Sequence, residues 1–219
     1  MKIFDRLHSF LWLDPNTNNC NTFLIDQGKR ILIDPGHYQL FGHVYDGLSR
    51  LSLTLEDIDL VIITHGHPDH MEAVGRFSGA SSSMAVSSIE MDFIRTLPPH
   101  LAAALGVRDF EPDILLHEGS LNVGDICLQV IYTPGHSPGS VCVYWPETKA
   151  LFAGDVVFNQ GVGRTDLPGG EGQRLKDSIN LISQLDVEYL LTGHGDIVVG
   201  RDAVKANFDE IKRVWFAYI

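Results

Sequence analysis

One stretch of the sequence carries most of its chemical information: Thr64-His65-Gly66-His67-Pro68-Asp69-His70. It places three imidazoles and one carboxylate within six residues, directly after the apolar run Leu60–Ile63. This run predicts a buried strand, and the segment after it is expected to form a loop at the edge of the sheet. On such a loop His65 and His67 can point to one centre. Asp69 and His70 can point to a second, so the segment could serve two metal ions.

The composition is that of a globular protein. Hydrophobic residues make up 44% and charged residues 20% of the 219 residues, with no Pro/Gly/Ser-rich linker and no internal repeat. Chains of this length commonly form one α/β or sandwich domain. We therefore expect a single domain over residues 1–219.

The net charge restricts the partners that the protein can bind. A formal charge of −12, spread along the sequence, disfavours nucleic acid, because nucleic-acid binding depends on Lys and Arg that neutralise phosphates. A metal centre would offset this acidity locally, so a small anionic substrate is compatible with it.

Several features predict a cytoplasmic protein. The first six residues lack the apolar region of a signal peptide, and no run approaches the roughly twenty apolar residues of a membrane span. The three cysteines, Cys20, Cys127 and Cys142, are widely spaced and fit a reducing compartment. We expect no membrane partner, and we include a homodimer among the expected assemblies.

The predicted elements repeat in the order strands, then helices. In each half of the chain, short β-rich runs precede helical patterns, which predicts two sheets packed face to face with helices outside. The fold class is thus α+β, as a four-layer αβ/βα sandwich. The runs used here are strands at 10–13, 21–26, 30–34, 60–63, 114–117, 125–132, 141–145, 150–153 and 189–192, and helices at 44–51, 171–184 and from Asp202, which we predict as an N-cap.

An apolar helical stretch at 88–105, interrupted at Pro98-Pro99, has two interpretations. Its apolar residues could be ordinary core, or they could form a lid over a substrate pocket. The residues in question are Ile89, Phe93, Ile94, Leu97, Leu101 and Leu105.

Three further candidate ligands each follow a strand and a glycine. They are His136 after Gly135, Asp155 after Gly154, and His194 after Gly193. Glycine permits the sharp turn and the close backbone approach that push the next side chain toward a crowded centre. Seven His and Asp groups are too many for one ion, whose catalytic site usually takes three protein ligands.

Two divalent ions, zinc with iron or manganese as alternatives, fit this number of ligands. His65, His67 and His136 would bind one ion, and Asp69, His70 and His194 the other. Asp155 would bridge the two. Asp34, at the end of strand 30–34, is a candidate to orient one of the ligand histidines.

The pattern His65-x-His67-x-Asp69-His70, with His136, Asp155 and His194, resembles the metallo-β-lactamase fold superfamily over most of the chain. The resemblance implies the αβ/βα sandwich, a metal site at the edge between the sheets, and the ligand assignment above. Asp155, in Ala153-Gly154-Asp155, resembles the bridging aspartate of the glyoxalase II branch. The run 161–170 is similar to a segment shared by short glyoxalase-II-like hydrolases and persulfide dioxygenases.

The glycine-rich run 161–170 also brings one cation, Arg164, near the predicted site. Its guanidinium could bind a carboxylate of the substrate. Alternatively, Arg164 pairs with Asp166 or another acid and holds the loop.

The resemblance implies a metal-dependent hydrolase that cleaves a thioester, such as a hydroxyacyl-glutathione, with a metal-bridging hydroxide as the nucleophile. The partner would be a small anionic thioester or thiol. We assign Asp69 a catalytic role in orienting the hydroxide and accepting its proton. Full-length glyoxalase II enzymes carry a C-terminal helical region that binds glutathione, whereas this sequence ends at Ile219.

The alternative is a persulfide dioxygenase with one Fe(II) held at the positions of His65, His136 and Asp155, since this group resembles the same ligand pattern. A β-lactamase is disfavoured by the lack of a signal peptide and of the expected lysine after Asp155. A flavodiiron protein would be expected to carry glutamate at position 67, where this chain has histidine.

Overall fold

Two mixed β-sheets pack face to face, and helices cover their outer faces. A computed structural model of the chain describes residues 1–99, 102 and 110–219. In the first half the strands are β1 (Lys2–Phe4), β2 (Leu7–Phe10), β3 (Thr22–Gln27), β4 (Lys29–Ile33), β5 (Leu60–Ile63), β6 (Ser83–Ser87) and β7 (Ile114–Leu116). They form a seven-stranded sheet in this order, antiparallel from β1 to β4 and parallel from β4 to β7.

The second half forms a six-stranded sheet and a short hairpin. Its strands are β8 (Gly119–Val123), β9 (Ile126–Tyr132), β10 (Val141–Trp145), β11 (Ala150–Gly154), β12 (Val157–Phe158), β13 (Gly161–Val162), β14 (Tyr189–Thr192) and β15 (Val198–Val199). The sheet order is β15-β14-β11-β10-β9-β8, and β12 pairs with β13. Only the β11–β14 pair of these two sheets is parallel.

The described helices are α1 (Gly42–Arg50), α2 (Pro68–Met71), α3 (Ser88–Thr96), α4 (Gly172–Ile182) and α5 (Arg201–Val214), with 3₁₀ turns at Leu55–Asp57, Glu72–Phe77 and Trp215–Ala217. None of them has the length and apolar run that a membrane crossing needs.

Alternation along the strands builds the layers. In β5 every residue is buried, because Ile62 faces the core between the sheets while Val61 faces the outer layer of α1. Phe152 of β11 likewise joins the central core, and its neighbour Leu151 packs toward α4 and α5. The predicted α+β fold, a four-layer αβ/βα sandwich, is confirmed.

Some predicted boundaries were wrong. The strand predicted at 10–13 ends at Phe10, and Leu13 is 80% exposed, because the chain turns out of the sheet into the segment that contains Pro15. Strand β8 was not predicted. Helix α5 has Gly200 as its N-cap, at φ 102°, and Asp202 lies in its first turn.

The stretch predicted as helix over 88–105 forms α3 only up to Thr96, ahead of Pro98. Residues 100, 101 and 103–109, which include Leu101 and Leu105, lie outside the described residues. Within α3, Ile94 is buried core whereas Ile89 is 41% exposed. Phe93 and Leu97 are half-buried.

Candidate metal centre

Four chain segments meet at one edge of the two sheets and carry all seven predicted ligands. The segment after β5 supplies four of them, and the turns after β9, β11 and β14 supply His136, Asp155 and His194. The sequence predicts a loop after β5, but part of this segment is helical. Helix α2 begins at Pro68, whose fixed φ suits the first helical position, so Asp69 and His70 lie on one helical turn.

The first cluster consists of three histidines. Nε2 of His136 lies 3.1 Å from Nε2 of His65 and 2.8 Å from Nδ1 of His67. Three ring nitrogens at these separations match the donor set of a zinc-type ion, whose nitrogen ligands lie about 2.0–2.1 Å from the metal.

The second cluster consists of Asp69, His70 and His194. Nε2 of His194 lies 3.2 Å from Oδ2 of Asp69 and 3.3 Å from Nε2 of His70. His70 and Asp69 are both buried, whereas the side chain of His194 is 25% exposed, so the cluster opens to solvent on the His194 side. This is a second donor set for a divalent ion.

Asp155 lies between the two clusters. Its Oδ2 is 3.6 Å from Nε2 of His136 and 3.3 Å from Nε2 of His194. Its Oδ1 is 3.1 Å from Nε2 of His70, yet this buried oxygen accepts no hydrogen bond from the described residues. A buried, unpartnered carboxylate oxygen is costly, and a cation between the clusters would satisfy it. The residues present therefore fit a divalent metal.

Hydrogen bonds on the far side of each imidazole orient the ligands. Nδ1 of His70 lies 2.9 Å from Oδ2 of Asp34, as predicted for Asp34, and this oxygen also accepts from Oγ1 of Thr64. Oγ1 of Thr64 in turn lies 3.1 Å from Nδ1 of His65. With Nδ1 directed outward, Nε2 of His65 and of His70 points toward the centre.

His136 is oriented by main chain. Its Nδ1 donates to the carbonyl oxygen of Arg164 at 2.8 Å. A Cβ on Gly163 would lie 1.8 Å from the carbonyl oxygen of Asp155 and 3.0 Å from Nδ1 of His136. Only glycine at this position allows the loop after Asp155 to pass so close to the ligand.

The glycines before the three later ligands act in two ways. Gly135 and Gly154 have positive φ angles of 133° and 48°. Gly193 instead allows a close approach, because a Cβ there would lie 2.3 Å from Oδ1 of Asp155. Both effects were expected from the sequence.

Burial and charge divide the histidines into two groups. Burial lowers the pKa of His65 well below its usual value and that of His67 to about 4, and neighbouring imidazoles add to both shifts. At His70 and His194, burial is outweighed by carboxylates. Asp155 and Asp34 hold the pKa of His70 well above its usual value, and Asp155 and Asp69 raise that of His194 to about 9. The first cluster is therefore neutral, whereas the second is a set of charged pairs.

The carboxylates of the second cluster show the complementary shift. The pKa of Asp155 is held well below its usual value, because the charge of His70 and the hydrogen bond and charge of His194 outweigh the opposing effect of burial. The pKa of Asp69 is lowered in the same way by His194 and His70. Both groups are anionic, which is the form that binds a metal.

Two residues at the centre were not foreseen. Nδ2 of Asn18, an exposed residue, donates to Oδ2 of Asp69 at 2.7 Å. The second is Glu90 of α3, which is 1% exposed. The sequence signals for them were weak: a run of asparagines just before β3, and one carboxylate on an otherwise apolar helix face.

Glu90 ties together the two segments of the first cluster. Its Oε1 accepts from the backbone N–H of Gly66, and its Oε2 accepts from the N–H of Gly139 and from Oγ of Ser137, each at 2.8 Å. Gly66 lies between His65 and His67, and Ser137 follows His136. The distance between the two ligand segments is thus set by one buried side chain.

The side chain of Arg164 pairs with Asp166. Its Nε and Nη2 each donate to a carboxylate oxygen of Asp166 at 2.7 Å, with both side chains largely exposed. This pair is the second of the two interpretations given for Arg164, in which it pairs with Asp166 and holds the loop. Binding of a substrate carboxylate by Arg164 stays a prediction.

Comparison with known proteins agrees with this geometry. The model of the metallo-beta-lactamase superfamily matches residues 15–200. A probable metallo-hydrolase of Methanocaldococcus jannaschii is 32% identical over 187 residues, covering 81% of this chain and 88% of the relative. The hydroxyacylglutathione hydrolase GloC of Haemophilus influenzae is 31% identical over 189 residues, covering 81% and 85%.

Solved structures lead to the same family. The B3 metallo-beta-lactamase BLEG-1 superposes with a TM-score of 0.76 at 28% identity, covering 96% of this chain and 99% of that one. The protein TTHA1623, solved in a di-iron-bound form, has a TM-score of 0.70 at 29% identity, covering 85% and 92%. With its paired His and Asp clusters at the sheet edge, the chain belongs to the metallo-beta-lactamase superfamily and is a metallo-hydrolase that uses divalent metal.

Proposed function

We propose that this metallo-hydrolase cleaves thioesters at a centre of two metal ions. The observation that carries the proposal is the position of Asp155, whose Oδ2 lies 3.6 Å from His136 of one cluster and 3.3 Å from His194 of the other. A carboxylate within reach of both donor sets suits a pair of ions that share a ligand. Zinc is our first choice of metal, with iron or manganese as alternatives.

Two bound divalent ions would supply an activated water near neutral pH and would polarise the scissile carbonyl. His65, His67 and His136 would hold one ion, Asp69, His70 and His194 the other, and Asp155 both. A thioester releases a thiolate, whose conjugate acid has a pKa of about 8.5, so no separate acid is needed to protonate the leaving group.

Asp69 is the residue we assign to orienting the attacking water and accepting its proton. It is buried, and its Oδ2 is held by Asn18 and His194. A carboxylate fixed on two sides keeps one orientation during turnover.

The relatives support a thioester as the substrate class. Two relatives are named hydroxyacylglutathione hydrolases: one of Haemophilus influenzae, 31% identical to this chain, and one of Francisella tularensis subsp. novicida, 30% identical. The Francisella protein is longer, since the match spans 62% of it. We accordingly propose a small anionic thioester, with hydroxyacyl-glutathione as one candidate.

The alternative is a persulfide dioxygenase with a single Fe(II), and the two proposals differ in whether the second cluster holds a metal. That alternative needs only His65, His136 and Asp155, and it leaves Asp69, His70 and His194 without a metal. Elemental analysis should find about two equivalents of metal per chain, with cleavage of lactoyl-glutathione or a simpler thioester by the same sample. One equivalent of iron, with oxygen consumed in the presence of a persulfide and no thioester cleavage, would refute the proposal.

A further inference from the structure

A small apolar recess adjoins the metal centre on the side of His67. Its volume is about 140 Å³. It is lined by Gly66, His67, Glu90, Phe93, Ile94, Leu97, Leu167 and Pro168. One wall is thus α3, the opposite wall is the loop after Asp155, and one end is a predicted metal ligand.

Two glycines set the shape of this recess. A Cβ on Gly66 would lie 2.8 Å from Cδ1 of Ile94, so the absence of a side chain lets α3 lie directly against the segment that carries His65 and His67. A Cβ on Gly169 would lie 2.9 Å from Cζ of Phe93, so the loop after Asp155 also packs closely on the helix. The apolar walls are therefore held next to the ligands.

The charged group in the lining is already satisfied. Both carboxylate oxygens of Glu90 accept hydrogen bonds, from the N–H groups of Gly66 and Gly139 and from the hydroxyl of Ser137. Phe93, Ile94, Leu97 and Leu167 have no polar side-chain atoms. The recess thus favours an uncharged, apolar occupant over a carboxylate or an ammonium group.

We propose that the recess binds a compact apolar group of the substrate, carried either on the acyl carbonyl or on the leaving sulfur. This inference rests on the proposed thioester hydrolysis, which places the scissile bond at the two clusters and hence beside His67. The volume suits about six carbons, since an apolar cavity of about 150 Å³ lined by Leu, Ile and Phe holds benzene. Half-buried Phe93 of α3, and Leu97 just after the helix, would become covered by this group.

The test uses the metal-loaded full chain and two series of thioesters. In one series the thiol is N-acetylcysteamine and the acyl group grows from acetyl to octanoyl. In the other the acyl group is acetyl and the thiol grows from methanethiol to octanethiol. We expect kcat/KM to rise about fourfold per methylene in one series, as for burial of a CH₂ group, and to level off at about six carbons.

Variants of Leu167 link the length dependence to the recess. Leu167→Trp should fill it and flatten the slope. Leu167→Ala should enlarge it and move the plateau to longer chains, which keeps the test valid should the Trp variant be misfolded. Leu181→Trp, at an exposed leucine of α4, is the matched control and should leave the slope unchanged.

A slope in the acyl series assigns the recess to the acyl group, and a slope in the thiol series assigns it to the leaving group. Turnover without any length dependence, or a slope that neither Leu167 variant changes, would overturn the inference. If no thioester is cleaved, the proposed function fails, and calorimetry with acetate to octanoate tests the recess by itself. An affinity for these carboxylates that rises with chain length, and no longer does so in Leu167→Trp, would support the inference. Equal affinities for all chain lengths would overturn the inference.

Discussion

Oδ2 of Asp34 and Nδ1 of His70 lie 2.9 Å apart in a pair that is almost completely buried. The same carboxylate accepts from the backbone N–H and from the hydroxyl of Thr64. One residue that binds no metal thus holds a ligand of the second cluster and, through Thr64, reaches His65 of the first.

Asp34→Asn should weaken metal binding mainly at the second cluster. Asp34 has a φ of 55°, which asparagine tolerates, so the backbone should be retained while one oxygen acceptor is lost. We expect an affinity loss of about 10- to 100-fold, as for other partners of metal-bound histidine. Competition with a chelator of known affinity measures it. Asp46→Asn, at an exposed position of α1, is the control, and equal losses in both variants would contradict the assignment.

Asp69→Asn should lower kcat by about 100- to 10,000-fold, the usual contribution of a positioned proton acceptor. Because Asp69 is also a predicted metal ligand, the variant is expected to bind less metal, and turnover should be expressed per bound metal equivalent. Asp209→Asn, on the exposed face of α5, should have normal kcat. Full turnover by the Asp69 variant at full metal content would show that Asp69 takes no part in the reaction.

Glu90→Gln should destabilise the protein by about 1–3 kcal/mol. The amide NH₂ would face the N–H of Gly139 in place of an accepting oxygen, and leaving a buried donor unpaired costs about 1–3 kcal/mol. Urea denaturation measures the free energy of unfolding. Glu56→Gln, at an exposed glutamate, should change it by less than about 0.5 kcal/mol. A Glu90 variant as stable as wild type would show that its three bonds are dispensable.

Arg164→Ala should raise KM for acidic thioesters about two- to fivefold, the range of exposed ion pairs, and should leave neutral thioesters unaffected. The bond to His136 uses the carbonyl oxygen of residue 164, so metal content should stay the same. Asp166→Ala serves as the comparison, because it breaks the same surface pair without removing the cation. Equal changes of KM for acidic and neutral substrates would indicate that Arg164 only holds the loop.

Metal affinity should depend on pH at one cluster more than at the other. The pKa of His194 is raised to about 9 and that of His70 lies well above its usual value, so an ion entering the second cluster must displace protons. Its affinity should therefore rise between about pH 6 and pH 9. His67 titrates at about 4, so the first cluster is already deprotonated over this range and its affinity should stay nearly constant.

Zinc titrations of two variants separate these contributions. His194→Ala should retain the first cluster and bind zinc with little pH dependence, whereas His67→Ala should retain the steep dependence of the second. The same slope in both variants would show that protons do not distinguish the clusters.

The sequence was informative wherever local chemistry determines structure. The apolar run of β5 and the glycines before His136, Asp155 and His194 placed those ligands at strand ends, and the order of strands and helices indicated the sandwich. Asp34 was predicted as a candidate to orient a ligand histidine, and its contact with His70 fits that role.

What the sequence could not show depends on contacts between distant segments. Glu90 bonds to Gly139, 49 positions away, and Asn18 bonds to Asp69, 51 positions away, and nothing in their local patterns specifies these partners. The side chain of Arg164 attracted attention because it is charged. The structure instead places its main-chain carbonyl against His136.

That carbonyl has a consequence for how the enzyme could be altered. Because the loop holds His136 through backbone alone, and Gly163 and Gly170 fix its two ends by close approach to main chain, the side chains from 164 to 168 are free of metal-binding duty. These five side chains can therefore be replaced without removing a metal ligand, so libraries randomised at 164–168 should yield altered substrate preferences at unchanged metal content.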